Sequence, residues 1–416
     1  MATFSIQFLG CKVSHADSHA IRERLLIDGH VESAAGADFA VVTTCCVTHE
    51  ALRKSRHAAS RAARTHERVY VTGCGANLSP TAFDGLPANV VVVPGRSEDA
   101  PGLVAGDVGA VACIQAESKL DRTRAFVKVQ DGCSFSCAFC VIPFVRGPSR
   151  SRRAEAVLAE VRRRVDQGHR EVVLTGINVG CYRDREAGYD LPRLIREAGS
   201  VQGLARLRLS SIEVNHVTAA LVDTMRETPT VARHLHVPLQ SGDDGVLQAM
   251  ARRYDTRTYL RRVALADGFN LTTDVIVGFP AEDEHAFQNT LRTIEKAGIT
   301  KVHVFPYSPR PGTATAEADT VPRAVKKNRS AELRALSGEA CLRHWRTKVG
   351  QDEVVLVDRP GRGYGDDYSP WLVDGAVGDL VHVRGLAVTD EGIVGREGAS
   401  RWPPPAQAIV QAATSR

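Results

Sequence analysis

The residues best suited to chemistry sit in one loop, Cys133-Ser-Phe-Ser-Cys137-Ala-Phe-Cys140, just after the apolar run AFVKVQ (125–130). A CxxxCxxC loop wraps three thiolates around one metal centre, and thiolates suit zinc or an iron–sulfur cluster. Structural zinc usually takes four ligands in paired CxxC form. No nearby Cys or His supplies a fourth. Three thiolates on a four-iron cluster leave one iron open. That iron can chelate the amino and carboxylate groups of S-adenosylmethionine (SAM), so that an electron splits the sulfonium into a radical. The expectation is a 4Fe-4S cluster on Cys133, Cys137 and Cys140, with SAM as cofactor. The chemistry is then borne by the cofactor, and no acid–base residue is assigned a catalytic role.

A second set lies upstream. Cys11 follows the run TFSIQFLG (3–10), Cys45 ends FAVVTTC (39–45) and Cys74 ends ERVYVTGC (67–74). If the three runs are parallel strands, their thiols emerge at one sheet edge and can share a second cluster, again with three ligands. The plainer alternative is three unrelated core cysteines, since free Cys is often buried. Cys46 faces the other way if its strand continues, and is read as a bystander. Cys113, Cys181 and Cys341 lack ligand-like neighbours and are read as core or surface thiols.

The elements that must position these thiols give an α/β multidomain fold. Residues 1–118 alternate strand and helix, with helical spacing at 15–29 and 49–64 and a fourth strand at 89–95, as in a small parallel sheet. Residues 119–345 hold six strand candidates, AFVKVQ, EVVLTG, RLRLSS, HLHVPLQ, LTTDVIVG and KVHVFPYS, separated by helical stretches. Six βα units suit a partial, open (βα)6 barrel, with ligands at the C-terminal strand ends. Strand-end residues are therefore the expected SAM contacts: Glu213, Gln240, Ser241, Gly242, Asp274, Gly278, Phe279 and Pro280. Residues 346–413 read as short strands split by Gly and Asp, a small antiparallel β module, with the PPPAQAIVQAATSR tail expected to be poorly ordered.

Composition sets outer bounds. Of 416 residues 43% are hydrophobic and 24% charged, ordinary for a globular protein. The net charge of +5 mildly favours an anionic partner. No run approaches the ~18 apolar residues of a membrane span. MATFSIQFLG lacks a basic stretch followed by a long apolar run, so no signal peptide and a cytoplasmic location are expected. In such a compartment ten cysteines point to metal or catalysis more than to disulfides.

The sequence resembles the radical SAM methylthiotransferases over nearly its whole length. LGCKVS (9–14), TTCCVT (43–48) and VTGC (71–74) look like the family's cluster-binding segments, and VQDGCSFSCAFCVIPFVRG (129–147) like its radical SAM segment. LTGIN (174–178), LSSIE (209–213), RHLHVPLQSGDDGVLQAM (233–250), TTDVIVGFPAE (272–282) and HVFPYSPRPGT (303–313) match further. GYGDDYSPWLV (363–373) looks like a degenerate TRAM domain, an RNA-binding β module. The chain departs from the family with Ser14 and Thr43, where Asn is usual. The resemblance is strongest to the branch acting on N6-threonylcarbamoyladenosine in tRNA. It implies two 4Fe-4S clusters, a methylthio group delivered to carbon 2 of that adenosine beside the anticodon, and a reductant such as flavodoxin or ferredoxin.

For the tRNA anticodon stem-loop, the basic run Arg146-Gly-Pro-Ser-Arg150-Ser-Arg152-Arg153 is the best single phosphate-gripping patch. Rival acceptors within the class are isopentenyladenosine in tRNA and an aspartate of a protein or peptide. Outside it stand another radical SAM reaction, whose second cluster only carries electrons, and a non-catalytic, metal-stabilised RNA-binding protein.

Overall fold

The computed structural model describes residues 1–95, 99–108 and 123–397. Cys113, the expected boundary at 118 and the tail at 403–416 lie outside the described residues. The chain divides into two compact units, Met1–Ser337 and Gly338–Arg416.

The first unit opens with five parallel strands: β1 (Thr3–Phe8), β2 (Val31–Glu32), β3 (Phe39–Thr44), β4 (Arg68–Gly73) and β5 (Val90–Val92). Their order is β2-β1-β3-β4-β5. The middle strand FAVVTT is buried throughout, as expected for a strand covered on both faces. The two-residue periodicity sorts its side chains. Phe39 and Val41 join Phe4, Tyr70 and helix α1 (Lys12–Ile27) on one face, whereas Ala40 and Val42 join Val69, Val71 and helix α2 (His49–Ala62) on the other. The exposed edge strand β2 was not expected; two residues carry no alternation to read. With β2 in place the order reverses between β1 and β3. Ligands of open α/β sheets sit past the carboxyl ends of the strands at such a reversal.

Six further parallel strands follow: β6 (Arg124–Lys128), β7 (Glu171–Thr175), β8 (Arg206–Leu209), β9 (His234–His236), β10 (Asn270–Val277) and β11 (Lys301–Pro306). They form two three-stranded sheets, β8-β7-β6 and β9-β10-β11. Parallel bridges Leu207–Val231 and Ser211–His236 join β8 to the β9 side, so the six make one open array in chain order. All six expected βα strands are present. At the N-terminal end Glu171 is only 1% exposed, with Arg208 at 2.8 Å, Arg206 at 3.3 Å and Arg124 at 3.7 Å. Burial alone would raise its pKa, but the three guanidiniums hold it below the usual glutamate range.

The second unit contains a closed barrel of β12 (Asp352–Arg359), β13 (Arg362–Tyr364), β14 (Pro370–Leu372), β15 (Leu380–Val388) and β16 (Ile393–Glu397). Pairing is antiparallel except between β14 and β16. Val355, Val357, Trp371, Val383 and Ile393 fill it.

Candidate functional site

Strand register brings Cys11, Cys45 and Cys74 to one edge of the sheet. Phe8 pairs with Thr43, Thr43 with Thr72 and Thr44 with Gly73. Each cysteine therefore leaves the sheet within a few residues of the same level. Cys11 caps α1, and Cys74 opens the short helix Cys74–Leu78. The Thr44 hydroxyl accepts from the N–H groups of Gly75 and Ala76 at 3.1 and 3.2 Å, pinning that helix. Gly73 has φ 92°, and a Cβ there would lie 3.0 Å from the Thr44 carbonyl oxygen. The Ser55 hydroxyl accepts from the Cys45 N–H at 3.1 Å. Burial, then the nearby Cys74 and Cys11 thiols, push Cys45 up to about 11.

Cys46 departs from its expected orientation. It is fully buried with Cys74, Val141 and Val145. The Cys46 thiol beside it, together with Arg146, holds the Cys74 thiol below the ordinary range.

The 133–140 loop is shaped by backbone contacts. The Cys133 N–H donates to the Gly147 carbonyl at 3.0 Å, and Cys140 N–H to the Cys137 carbonyl at 3.1 Å. Gly132 has φ 68°, and a Cβ would lie 2.1 Å from the Pro148 oxygen, so no other residue fits. Burial, then Cys137 and Cys133, push Cys140 up to about 12; burial, with Cys137 beside it, also raises Cys133. Arg252 was not foreseen. It donates to Cys137 Sγ at 3.2 Å and lies 3.8 Å from Glu213. Its sequence distance from the loop left no signal.

The donor sets can be tested for fit. One tetrahedral ion at a metal–sulfur distance of about 2.3 Å needs sulfurs roughly 3.8 Å apart. Among the described residues neither trio closes within 4.8 Å. That spread is too open for one ion, and three thiols with nearby guanidiniums fit a larger, anionic iron–sulfur cluster.

A cavity of about 170 Å³ has Cys140, Phe139, Gln240, Asp274 and Tyr307 among its walls, along with Val47 and Thr48, which follow the Cys45–Cys46 pair. Gln240 is non-glycine at φ 66°, a conformation costing on the order of 1–3 kcal/mol that often marks function. Its N–H donates to the Asp274 carbonyl, and its carbonyl accepts from Ile276 N–H, both at 2.9 Å.

Other expected SAM contacts are placed elsewhere. Ser241 is buried near Thr290, and Gly242 lies so close that a Cβ would be 2.6 Å from Thr290 Cα. Gly278 abuts Lys326 and gives its N–H to Glu282. These three hold elements together rather than line the cavity. Phe279 stacks edge-on against Phe139 and Tyr307, behind the cavity wall. Pro280 is half-buried. Glu213 accepts from the Asn215 N–H at 3.0 Å.

The basic run also needs correction. Arg146 has a side chain only 3% exposed. It donates to Cys74 Sγ at 3.1 Å, Asp131 at 3.0 Å, Ser14 at 3.2 Å and Asp17 at 2.9 Å. Those bonds take four of its five N–H donors inside the protein, so this buried side chain is not presented to a phosphate. Arg150 bonds the Arg146 carbonyl at 2.8 Å, Arg152 bonds Glu160 at 2.6 Å, and exposed Arg153 pairs with Glu186. Arg150 and Arg152 line a separate cavity of about 490 Å³ with Lys128, Arg163 and Arg164.

The Radical SAM superfamily description matches residues 127–294, and Uncharacterized protein family UPF0004 matches residues 3–95. The threonylcarbamoyladenosine tRNA methylthiotransferase MtaB of Thermotoga maritima is 32% identical, covering 95% of this chain and 96% of the relative. MtaB of Bacillus subtilis is 35% identical over 82% of this chain and 81% of its own. The tRNA-2-methylthio-N(6)-dimethylallyladenosine synthase of Sorangium cellulosum is 34% identical, covering 94% and 89%. Among solved structures, the radical S-adenosylmethionine methyltransferase TsrM from Kitasatospora setae superposes with a TM-score of 0.56 at 13% identity, over 76% of this chain and 77% of that one.

Proposed function

The chain belongs to the radical SAM methylthiotransferases, and on that premise we propose that it places a methylthio group on carbon 2 of N6-threonylcarbamoyladenosine beside the anticodon of tRNA. Cys133, Cys137 and Cys140 hold one 4Fe-4S cluster and Cys11, Cys45 and Cys74 a second, the division being 1–118 for the second cluster, 119–345 for the radical SAM barrel and 346–413 for a TRAM-like RNA-binding module. When bound, the clusters and SAM supply a 5′-deoxyadenosyl radical and the methylthio group.

The observation that carries this reading is the cavity that has Cys140, Val47 and Thr48 together in its lining. One cysteine of the 133–140 loop thereby lines the same opening as the two residues that follow the Cys45–Cys46 pair. The chain's own residues orient and shield. Gln240 and Asp274 present polar groups to the cavity, while Phe139, Phe279 and Tyr307 exclude water. Arg252 and Arg146, each bonded to a cysteine sulfur, offset the negative charge of ligating thiolates. A flavodoxin or ferredoxin supplies electrons, and the setting is the cytoplasm. Among the described residues no helix is long and apolar enough to cross a membrane.

Nucleosides from tRNA of a deletion strain, with and without the gene restored, test this reading. Loss of methylthio-threonylcarbamoyladenosine that is restored with the gene supports it; persistence of that nucleoside in the deletion strain, where no second such enzyme is encoded, sinks it. One observation keeps a second acceptor in view: the Sorangium relative, named for dimethylallyladenosine, is 34% identical. Loss of the methylthio-dimethylallyl nucleoside alone would favour that reading.

A further inference from the structure

We propose that His236, Asp274 and His303 form a site for one divalent metal ion, separate from both cysteine sets. The three residues stand on neighbouring parallel strands. His236 pairs with Thr272 and Asp274 with His303. Because 272 and 274 share a face of β10, all three side chains leave the sheet on one side. One ligand atom from each lies within 4.8 Å of the other two. His236 Nε2 is 3.2 Å from Asp274 Oδ1. Ligands about 2.0–2.2 Å from a common ion sit roughly 3 Å apart, so only His303 needs to swing inward.

The surroundings fit a metal ligand set. His236 Nδ1 lies 2.9 Å from Thr272 Oγ1, which also meets His234 Nε2 at 3.0 Å. A bond on the second ring nitrogen fixes tautomer and orientation, as ligating histidines require. Burial falls from His236 through half-exposed Asp274 to exposed His303, which gives an ion a path from solvent. Two imidazoles and one carboxylate suit Fe²⁺, Mn²⁺ or Zn²⁺ and leave coordination positions open. Asp274 also forms part of the cavity wall, so the ion would stand at the edge of the candidate active site. His303 also makes a tilted ring contact with His236, centroids 5.5 Å apart, which keeps the two imidazoles side by side.

Mn²⁺ tests the site because it favours oxygen and nitrogen ligands over the thiols. Full-length protein with its clusters reconstituted anaerobically is titrated with Mn²⁺ while the free ion is followed by EPR. The expected result is one saturable site per chain, weakened on the order of a hundredfold in His303→Ala and in Asp274→Asn. The Asn variant keeps a hydrogen-bonding group beside His236, and retention of cluster absorbance reports that each variant is folded. Absence of saturable binding to the unaltered protein overturns the proposal. So does binding that survives in folded His303→Ala.

Discussion

Replacing Arg146 with Met should destabilise the protein before it affects anything else. The buried cluster balances two carboxylates, Asp17 and Asp131, against Arg146 and Lys128, with Lys128 at 2.6 and 3.2 Å from the two acids. Removing the guanidinium leaves both acids in place with one cation between them. Breaking a buried pair costs about 3–5 kcal/mol. Lys128 still reaches both acids, so the lower end applies, about 3 kcal/mol, or roughly a hundredfold in the folded-to-unfolded ratio. Urea unfolding followed by circular dichroism measures this. Asp17→Asn added to Arg146→Met removes the excess negative charge and should recover part of the loss. Arg146→Lys keeps the charge but cannot span Cys74, Ser14 and both acids, and should fall between. An unchanged urea midpoint in Arg146→Met, with weaker tRNA binding, would refute the reasoning and restore Arg146 to an RNA-gripping role.

Glu171→Gln should also cost about 3 kcal/mol, because three guanidiniums lose their shared carboxylate at the far end of the barrel; the urea midpoint should fall while SAM cleavage per folded molecule stays unchanged. Gln240→Gly relieves left-handed strain worth about 1–2 kcal/mol but frees the unfolded chain by a comparable amount; stability should hold within ~1 kcal/mol while calorimetry shows weaker SAM binding. In the second unit, burial would raise the pKa of Asp367, but His344 at 2.8 Å and Lys348 at 2.7 Å hold its carboxyl well below the usual range. A depressed folded pKa stabilises above the unfolded value of about 3.9 and loses that contribution as pH falls toward the folded value. Melts across acid pH should therefore show the barrel weakening below about pH 4, and Asp367→Asn, weaker at neutral pH, should lose that dependence.

Local pattern made the scaffold legible. Continuous apolar runs such as FAVVTT and EVVLTG declare buried parallel strands, and their spacing declares the intervening helices. It also made the cysteine edges legible, because strands running the same way must end at the same edge. The remainder depended on approach between distant segments. Arg146 sits in a basic run that looks solvated, yet it is enclosed because α1 brings Asp17 against it. Arg252 reaches Cys137 across 115 residues. Ser241, Gly242 and Gly278 stand at strand ends, as ligand contacts would, but the helix carrying Thr290 and the residue Lys326 fill the space beside them. Cys46 turns in beside Cys74 because the strand ends at Thr44 and its alternation stops there.

The central claim is that two cysteine trios serve one reaction on tRNA. Purified protein, reconstituted anaerobically, should be given a reductant, methyl-deuterated SAM and tRNA carrying threonylcarbamoyladenosine without its methylthio group. Mass spectrometry of the digested nucleosides should show deuterated methylthio-threonylcarbamoyladenosine. Cys11→Ser should abolish it while 5′-deoxyadenosine still forms. 5′-Deoxyadenosine without any deuterated methylthio nucleoside from the unaltered protein, or full methylthiolation by Cys11→Ser, would contradict the claim.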